Sequence, residues 1–341
     1  MEHGGNLQQA VARFGEHPDG WLDLSTGINP TPYPLPSESI SAAALWHRLP
    51  EEESLEGAPE GSLTATAAAY YQAITAPLPL PGSQAAISLL PALRPPSRVA
   101  IPEAEYGEHS AAWQRWGHAV QRINPALIEE GPPQRPDFDV VVLSNPNNPT
   151  GRRYPVELLQ RWQQALLRQA GWLIVDEAFA DADPAASLAR CAGHPDSPNL
   201  IVLRSLGKFF GLAGARIGFL LGSTTIRERL STLLGPWPLT GPSRQAACLA
   251  LADGAWQLAQ RTHLEAAAER LATLLDNAGL PVAGRTALYC WVPIAAPRAY
   301  QHALARAGIW VRAFDEPAGL RFGLPSEEDE WQRLAAAVAK A

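Results

Sequence analysis

Four residues have side chains whose types and positions could carry out chemistry on an amine and an anion. Lys208 closes the stretch Ser205-Leu-Gly-Lys208, and its amine could condense with a carbonyl group or carry a proton. Asp176 begins Asp-Glu-Ala-Phe, and a buried carboxylate there would demand a cation. Asn148 can donate a hydrogen bond, and Arg216 can bind a phosphate through two N–H groups. These residues together predict a catalytic site.

Each of these features also has a simpler interpretation when it is taken alone. The segment 145–151, Asn-Pro-Asn-Asn-Pro-Thr-Gly, is a good turn, and an isolated lysine is usually a solvated charge. Asp176 could cap a helix or bind magnesium in a nucleotide hydrolase, but the sequence contains no G-x-x-x-x-G-K-[ST] loop. The S-x-x-K pattern also suits a serine acyl-transfer enzyme, but the S-D-N and K-T-G elements of such enzymes do not occur.

The chemistry-bearing residues follow short apolar runs that we predict to be buried strands. These runs cover residues 99–101, 140–143, 172–175, 200–203 and 217–221, and residues 156–169 are predicted to form a crossover helix. Such alternation predicts an α/β domain with a mainly parallel sheet flanked by helices. Because ligands bind beyond the carboxyl ends of the strands in open α/β sheets, the residues after each run should share one site.

In order and spacing, N-P-T-G, D-E-A and S-L-G-K with Arg216 eight residues later resemble the aspartate aminotransferase superfamily of pyridoxal-phosphate enzymes. The resemblance implies a fold of type I, with a seven-stranded sheet in a large domain and a small α+β domain. It also implies that Lys208 binds pyridoxal 5'-phosphate covalently and that Asp176 pairs with the pyridinium nitrogen. Asn148 would donate to the ring oxygen, and Tyr106 would stack on the ring face.

The same resemblance assigns contacts to the cofactor phosphate and to the substrate. Gly82, Ser83 and Gln84 precede a helical stretch and would offer main-chain N–H groups to the phosphate, although Ser83 alone would also suit a helix cap. Ser205 and Arg216 match the hydroxyl and the cation of the phosphate site. Arg321, in Gly-Leu-Arg-Phe-Gly, matches the arginine that binds the substrate α-carboxylate, and Arg312 is a second candidate. A surface ion pair is the alternative for both arginines.

The N-terminal segments resemble one subgroup, the threonine-phosphate decarboxylases of cobalamin biosynthesis. The matching motifs are His3-Gly-Gly-Asn6 and the segment 22–30, which ends in Asn29-Pro30. They imply decarboxylation of L-threonine O-3-phosphate to (R)-1-amino-2-propanol O-2-phosphate, with His3, Asn6 and Asn29 as substrate contacts. A histidinol-phosphate-type aminotransferase is the alternative within the superfamily. A non-catalytic binding protein on the same fold is a more distant one, because the chain retains the reactive residues.

Two positions depart from the pattern of relatives in the superfamily. Where many relatives have Arg-Tyr-Pro, with the tyrosine reaching the cofactor phosphate of the other subunit, this chain has Arg48-Leu49-Pro50. Where aminotransferases have Asp-Glu-Ala-Tyr, Phe179 has no hydroxyl to donate to the ring oxygen. The second departure favours the decarboxylase subgroup.

The breaker-rich stretch 236–242 predicts a domain boundary. We expect residues 1–38 to form an N-terminal arm and part of the small domain, 39–238 the large cofactor-binding domain, and 239–341 the small C-terminal domain. In the last segment, a capping box at Thr262–Glu265 should open a helix that ends at Gly279, with residues 264, 268, 271 and 275 on its buried face. Strands are predicted at 288–293, 309–314 and 320–323, and Ser326–Asp329 should cap a final helix.

The composition of this 341-residue chain limits the kinds of ligand and partner that it can be expected to bind. The net charge of -7 comes from dispersed acids, which argues against nucleic acid. The three cysteines have no metal-binding spacing and are expected to be buried and reduced, and no metal is predicted. No apolar run reaches the roughly 18 residues of a membrane helix, and no signal peptide is recognisable. We therefore expect a cytoplasmic protein, and the resemblance implies a homodimer.

Overall fold

The computed structural model describes residues 4–51 and 59–340, so His3 lies outside the described residues. The chain divides into two compact units. Unit 1 comprises Met1–Pro32, Asn148–Arg152 and Leu258–Ala341, and unit 2 comprises Tyr33–Asn147 and Arg153–Gln257. The division after Pro32 lies six residues before the boundary expected after residue 38, and the division after Gln257 lies nineteen residues beyond the boundary expected after residue 238. The difference at the second break arises because the helix that follows the breaker-rich stretch packs on the first helices of unit 2.

Thirteen α-helices and thirteen strands form within the described residues. The helices are α1 Leu7–Phe14, α2 Ser37–Ser41, α3 Ala43–His47, α4 Leu63–Tyr71, α5 Ser83–Leu89, α6 Gly107–Arg115, α7 Pro125–Glu130, α8 Val156–Leu167, α9 Thr224–Leu234, α10 Gly241–Ala252, α11 Gly254–Asn277, α12 Pro297–Arg306 and α13 Glu328–Val338. The strands are β1 Leu22–Asp23, β2 Leu78–Leu80, β3 Arg98–Pro102, β4 Ala119–Ile123, β5 Val140–Ser144, β6 Trp172–Asp176, β7 Leu200–Ser205, β8 Gly218–Leu221, β9 Gly284–Thr286, β10 Tyr289–Pro293, β11 Ile309–Trp310, β12 Arg312–Asp315 and β13 Ala318–Gly323.

Unit 2 is built on a sheet of seven strands, counted over its described residues, in the order β2-β8-β7-β6-β5-β3-β4. Strands β7, β6, β5, β3 and β4 pair in parallel, and β8 is antiparallel to both of its neighbours. Every residue of β5 and β8 is buried, as both faces of a helix-covered sheet require. The predicted fold, a mainly parallel seven-stranded sheet flanked by helices, is confirmed.

Unit 1 contains an antiparallel sheet of order β12-β13-β10-β9 and the parallel pair β1–β11. Helix α11 buries Leu264, Ala268, Leu271 and Leu275, which confirms the predicted buried face. The α+β character of the last hundred residues is as predicted.

Three details of the C-terminal predictions are wrong. Thr262 lies inside α11, which begins at Gly254, so Thr262–Glu265 is not a helix start; Thr262 instead donates its hydroxyl to the carbonyl of Leu258 one turn back. The predicted strand 309–314 is divided by Val311 into β11 and β12, which join different sheets. The capping box of α13 is formed by Glu327 and Glu330, with Ser326 preceding it.

Among the described residues, no helix is long and apolar enough to cross a membrane. Within the same ranges, no group of three or more histidine, cysteine or acidic side chains could hold a metal ion. Cys290 is buried, which raises the pKa of its thiol to about 12. Cys191 and Cys248 are only half-buried, so the expectation that all three cysteines are buried is wrong for these two.

Candidate active site

Strands β3 and β5 are adjacent in the sheet of unit 2, but the chain leaves them in opposite directions. From β3 it passes through α6 to β4 at one edge, and from β5 it passes through α8 to β6 on the other side. Such a switch point opens a crevice at the carboxyl ends of the strands, where ligands bind in open α/β sheets. Tyr106 follows β3, and Asp176 and Ser205 end the strands beyond β5. These residues therefore lie at one edge of the sheet, and their sharing of one site stays a prediction.

Asp176 is buried at the end of β6 and contacts a second ionisable side chain. Its Oδ2 lies 3.1 Å from Nε2 of His109, and its Oδ1 accepts a hydrogen bond from the N–H of Ala178. His109 is 1% exposed and belongs to α6. The aspartate is therefore held by two donors while its strand end faces the crevice. It lies one residue beyond a run of three fully buried apolar residues, so it is not a surface carboxylate.

His109 was not among the residues predicted from the sequence, although a signal was present. It follows Tyr106 by three residues, and positions three apart lie on one face of a helix. The two rings contact edge to face at a centroid distance of 6.0 Å. The hydroxyl of Tyr106 also donates to Oε1 of Gln84 at 3.3 Å, so two predicted cofactor contacts, one preceding α6 and one in α5, are brought together.

Lys208 follows β7 through a tight turn in which the N–H of Gly207 donates to Oγ of Ser205 at 3.3 Å. Its Nζ lies 5.3 Å from the centroid of the Phe179 ring, so the amine is placed over an aromatic face. The next two residues, Phe209 and Phe210, contact Trp256 at centroid distances of 5.6 and 5.7 Å. This packing fixes the chain on the C-terminal side of the lysine.

The predicted phosphate contacts meet at the start of α5. Gly82 is the N-cap residue with φ +76, and a Cβ there would lie 2.8 Å from Nη2 of Arg216. A Cβ on Gly218 would lie 2.4 Å from the nitrogen of Ser83. The positions that tolerate only glycine are thus surrounded by main-chain N–H groups, by the guanidinium of Arg216 and by the Ser205 turn. Together these donors fit a phosphate monoester. Ser83 is the first residue of the helix and makes no side-chain cap bond.

A buried ion network lies behind Asp176 and Ser205. Arg204, which precedes Ser205, contacts Glu177 at 2.6 Å and Asp181 at 2.5 Å, and all three side chains are at most 2% exposed. The hydroxyl of Ser187 donates to the carboxylate of Glu177 and accepts from Arg204 at 3.2 Å. The network therefore joins the carboxyl ends of β6 and β7 through the chain neighbours of two site residues.

In unit 1, Arg321 is 5% exposed on β13. Its Nη1 donates to Oδ1 of Asn148 at 2.5 Å, and its Nη2 donates to the carbonyl of Ser25 at 2.6 Å. The guanidinium also lies over the ring of Tyr289, at 5.1 Å from its centroid. A surface ion pair, the alternative for Arg321, is excluded by its burial. Two predicted site residues that are 173 positions apart are thus in direct contact.

Arg312 lies directly opposite Arg321 in the β12–β13 ladder. Its guanidinium lies 5.2 Å from the ring centroid of Phe314, and the side chain is half-buried. Two positive charges are therefore adjacent on one sheet. Because like charges in this position repel each other, the binding of an anion beside them would be favourable.

The other predicted substrate contacts have structural partners. Asn6 is exposed and caps α1 by accepting from the N–H of Gln9. Asn29 is buried, and its Oδ1 accepts from Thr31 at 2.8 Å and from Gln260 at 3.1 Å. The side chains of both residues thus carry local hydrogen bonds, and their contact with a substrate stays a prediction.

The Gly-Gly turn of the N-terminal motif packs on Ser25. The N–H of Gly5 donates to Oγ of Ser25 at 2.8 Å, and a Cβ on Gly4 would lie 2.4 Å from the Ser25 carbonyl oxygen. Oγ of Ser25 in turn donates to Asp23 at 2.5 Å. Because that same carbonyl accepts from Arg321, the N-terminal turn is fixed beside the arginine.

Polar and ionisable residues lie at the carboxyl ends of a mainly parallel sheet, and a lysine closes the S-x-x-K turn after β7. Together they define an enzyme of the fold type I class. The chain belongs to the family "Aminotransferase class I and II", whose model matches residues 20–338.

The chain is 47% identical to a threonine-phosphate decarboxylase of Pseudomonas aeruginosa over 99% of this chain and 97% of that protein. It is 41% identical to a threonine-phosphate decarboxylase of a Sinorhizobium species over 99% of this chain and 97% of that protein. The crystal structure of histidinol-phosphate aminotransferase from Sinorhizobium meliloti, in complex with pyridoxal-5'-phosphate, matches with a TM-score of 0.78 at 21% identity, covering 98% and 93% of the two chains. The predicted membership of the superfamily and the resemblance to the decarboxylase subgroup are confirmed.

Proposed function

We propose that this chain is a pyridoxal-phosphate-dependent carboxy-lyase that converts L-threonine O-3-phosphate into (R)-1-amino-2-propanol O-2-phosphate and CO2, in cobalamin biosynthesis. The observation that carries the proposal is the identity of 47% over almost the full length to a protein named threonine-phosphate decarboxylase, combined with Lys208 and Asp176 at one edge of the sheet. The glycine-lined cradle at the start of α5 supports the cofactor, because its donors suit the phosphate.

The bound cofactor supplies an electron-withdrawing ring conjugated to the substrate's α-carbon. Asp176 would offer a carboxylate to the ring nitrogen, and His109 holds that carboxylate through the contact of 3.1 Å. Lys208 would hold the cofactor through its amine, and the same amine would serve to carry a proton. Tyr106, tied to Gln84, provides an aromatic face for the ring.

Release of CO2 breaks the bond between the α-carbon and the carboxyl carbon, and a proton must then be added to the α-carbon. The electron pair of that bond remains with the substrate, where the electron-withdrawing ring would stabilise it, and then forms the new bond to the proton. Within unit 1, Arg321 is the group that we assign to the substrate carboxylate. Within unit 2, Lys208 would deliver the proton. Phe179 lacks a hydroxyl, and its ring instead packs under the lysine amine. Within unit 1, the side-chain oxygen of Asn148 accepts from Arg321, which leaves its NH2 group as the donor that the resemblance assigns to the ring oxygen.

We also propose that the active form is a cytoplasmic homodimer. Unit 2 exposes the large apolar side chains of Trp46, Leu49 and Trp237, which are 66%, 66% and 48% exposed. Beside them lies a cavity of about 400 Å³ lined in part by Pro50 and Trp237. Apolar surface of this kind suits a second copy of the chain. Sedimentation of the purified protein checks this, and a fully active monomer would contradict it.

The cytoplasmic location is supported by the three free thiols, which suit a reducing compartment.

Product analysis tests the reaction. Purified protein loaded with pyridoxal phosphate is incubated with L-threonine O-3-phosphate, and CO2 and the amine phosphate are expected in equal amounts. A parallel incubation contains histidinol phosphate and 2-oxoglutarate. Glutamate formed from 2-oxoglutarate in the parallel incubation, with no CO2 in the first, would contradict the proposal and identify an aminotransferase instead. A protein that loads the cofactor but turns over neither mixture would favour a binding role.

A further inference from the structure

Glu105 bridges the two strands that border the switch-point crevice. Its Oε2 accepts from the N–H of Ser144, the last residue of β5, at 2.8 Å. The same oxygen accepts from Nδ2 of Asn147 at 3.1 Å, and Oε1 accepts from the N–H of Tyr106 at 2.9 Å. One carboxylate therefore receives three donors, from the end of β5, from the turn that follows β5 and from the segment that follows β3.

The sheet ladder explains why a side chain is needed at this place. Strands β3 and β4 form five residue pairs, and so do β5 and β6, but the ladder between β3 and β5 comprises only Val99↔Val140 and Ala100↔Val141. Pro102 ends β3 and has no N–H to donate to a neighbouring strand. The two strands thus lose their main-chain pairing before their carboxyl ends. The carboxylate of Glu105 replaces it at the level of Ser144.

The backbone before Glu105 is shaped to make this bridge. Ala104 has φ +60, a left-handed conformation that residues other than glycine adopt only when their surroundings demand it. Desolvation raises the pKa of Glu105 above its ordinary value, while nearby His109 and the hydrogen bonds from Ser144 and Tyr106 act in the opposite direction without cancelling the rise. The half-buried side chain is thus held by compensating contacts.

We propose that Glu105 is a positioning residue for the cofactor: it fixes Tyr106 and the Asn145–Asn147 turn on the two sides of the crevice. The proposal rests on the proposed function, because it assigns the crevice to the pyridoxal-phosphate ring. Glu105 acts through Tyr106 and Asn147, and it needs no contact with the ring. Sequence analysis passed over it because a glutamate beside an aromatic residue gives no motif.

Three variants test the proposal: Glu105→Ala removes all three acceptor contacts, Glu105→Gln keeps the shape but replaces one acceptor oxygen with a donor, and Glu103→Gln is the control. Glu103 is exposed and lies two residues earlier in the same turn. Each purified variant is checked for folding by thermal melting. Then the dissociation constant of pyridoxal phosphate, the pH dependence of the visible absorbance of the lysine-bound cofactor, and kcat and KM are measured.

For Glu105→Ala, we expect cofactor affinity to fall about tenfold or more and kcat to fall about tenfold to a hundredfold, because displacement of positioning groups costs rates of that order. KM should change less than kcat. Glu105→Gln should lie between Glu105→Ala and the wild type, and Glu103→Gln should match the wild type. If Glu105→Ala fails to fold, Glu105→Gln decides by the same measurements.

The proposal would be overturned if a folded Glu105→Ala variant had the cofactor affinity, absorbance profile and kcat of the wild type. It would also be overturned if a lowered melting temperature were the sole change in that variant. Cofactor affinity and absorbance do not depend on which substrate is used. If the wild type loads the cofactor but does not release CO2, the proposed reaction fails while the role of Glu105 is still decided by these two readouts.

Discussion

Replacing Arg204 with methionine should strongly destabilise the protein, because it leaves two carboxylates buried without their cation. The guanidinium contacts Glu177 at 2.6 Å and Asp181 at 2.5 Å in a region where none of the three side chains exceeds 2% exposure. Removing one partner of a buried ion pair typically costs about 3–5 kcal/mol. The total stability of a domain is about 5–15 kcal/mol, so the free energy of unfolding should fall by a large fraction.

A surface pair in the same unit provides the matched control. Arg153 contacts Asp183 at 2.7 Å, but these side chains are 39% and 46% exposed. Arg153→Met should cost no more than about 1 kcal/mol, because exposed ion pairs are screened by water and salt. Urea unfolding followed by tryptophan fluorescence measures both variants. A cost below about 1 kcal/mol for Arg204→Met would refute the reasoning, because it would mean that the two carboxylates carry no charge that needs balancing.

The pH dependence of this variant supplies an independent check. Desolvation raises the pKa of Glu177 above its ordinary value of 4.5, and Arg204 is the leading influence in the opposite direction. Without the arginine the pKa of Glu177 rises further. An acid with a raised pKa in the folded state favours folding at low pH, and that contribution is lost as the pH rises through the folded-state pKa. The deficit of Arg204→Met relative to the wild type should therefore be smaller near pH 5 than near pH 8.

Neutralising both acids as well should recover much of the lost stability. The triple variant Arg204→Met, Glu177→Gln, Asp181→Asn replaces charges with neutral groups of similar shape, and uncharged groups are far less costly to bury. Failure of the triple variant to regain stability relative to Arg204→Met would place the loss in packing rather than in charge. Activity should follow stability here, because the network holds the strand ends that precede the lysine turn.

Three further predictions concern the site itself. Lys208→Ala should abolish both the visible absorbance of bound pyridoxal phosphate and turnover while leaving the fold intact, and persistence of both signals would refute the role of Lys208. Gly82→Ala should weaken cofactor binding about tenfold or more, because Gly82 has a φ of +76 and the new Cβ would lie 2.8 Å from the guanidinium of Arg216. The control Gly214→Ala has open space around the new Cβ, so a titration should show normal cofactor binding. Arg321→Lys should raise KM and lower kcat together by about tenfold, because a lysine cannot make both hydrogen bonds of the guanidinium, and unchanged steady-state constants would contradict the carboxylate role.

The sequence predicted the sheet of unit 2 well because its strands are continuous apolar runs that end in polar residues. Residues 140–143 and 172–175 match β5 and β6 to within one residue at their carboxyl ends. The residues that follow them were therefore placed at one sheet edge without knowledge of the strand order. The crevice between β3 and β5, in contrast, depends on that order, which local patterns do not encode.

Predictions failed where a local pattern competed with longer-range structure. Thr262–Glu265 has the composition of a capping box, but the surrounding residues favour helix on both sides, so α11 continues through it. His109 and Glu105 were missed because each acquires its role from a partner distant in sequence, Asp176 for the first and Ser144 for the second. The contact between Arg321 and Asn148 is of the same kind.

The aromatic packing that follows Lys208 provides the protein with an optical reporter. Phe209 and Phe210 both contact Trp256, so the indole is coupled mechanically to the residues next to the reactive amine. The absorption band of a cofactor that absorbs in the near ultraviolet overlaps the emission band of tryptophan, so such a cofactor quenches the fluorescence of an indole close to it. Loading of the lysine can therefore be followed by fluorescence, and the difference between the wild type and Trp256→Phe isolates the contribution of this one indole among the eleven in the chain.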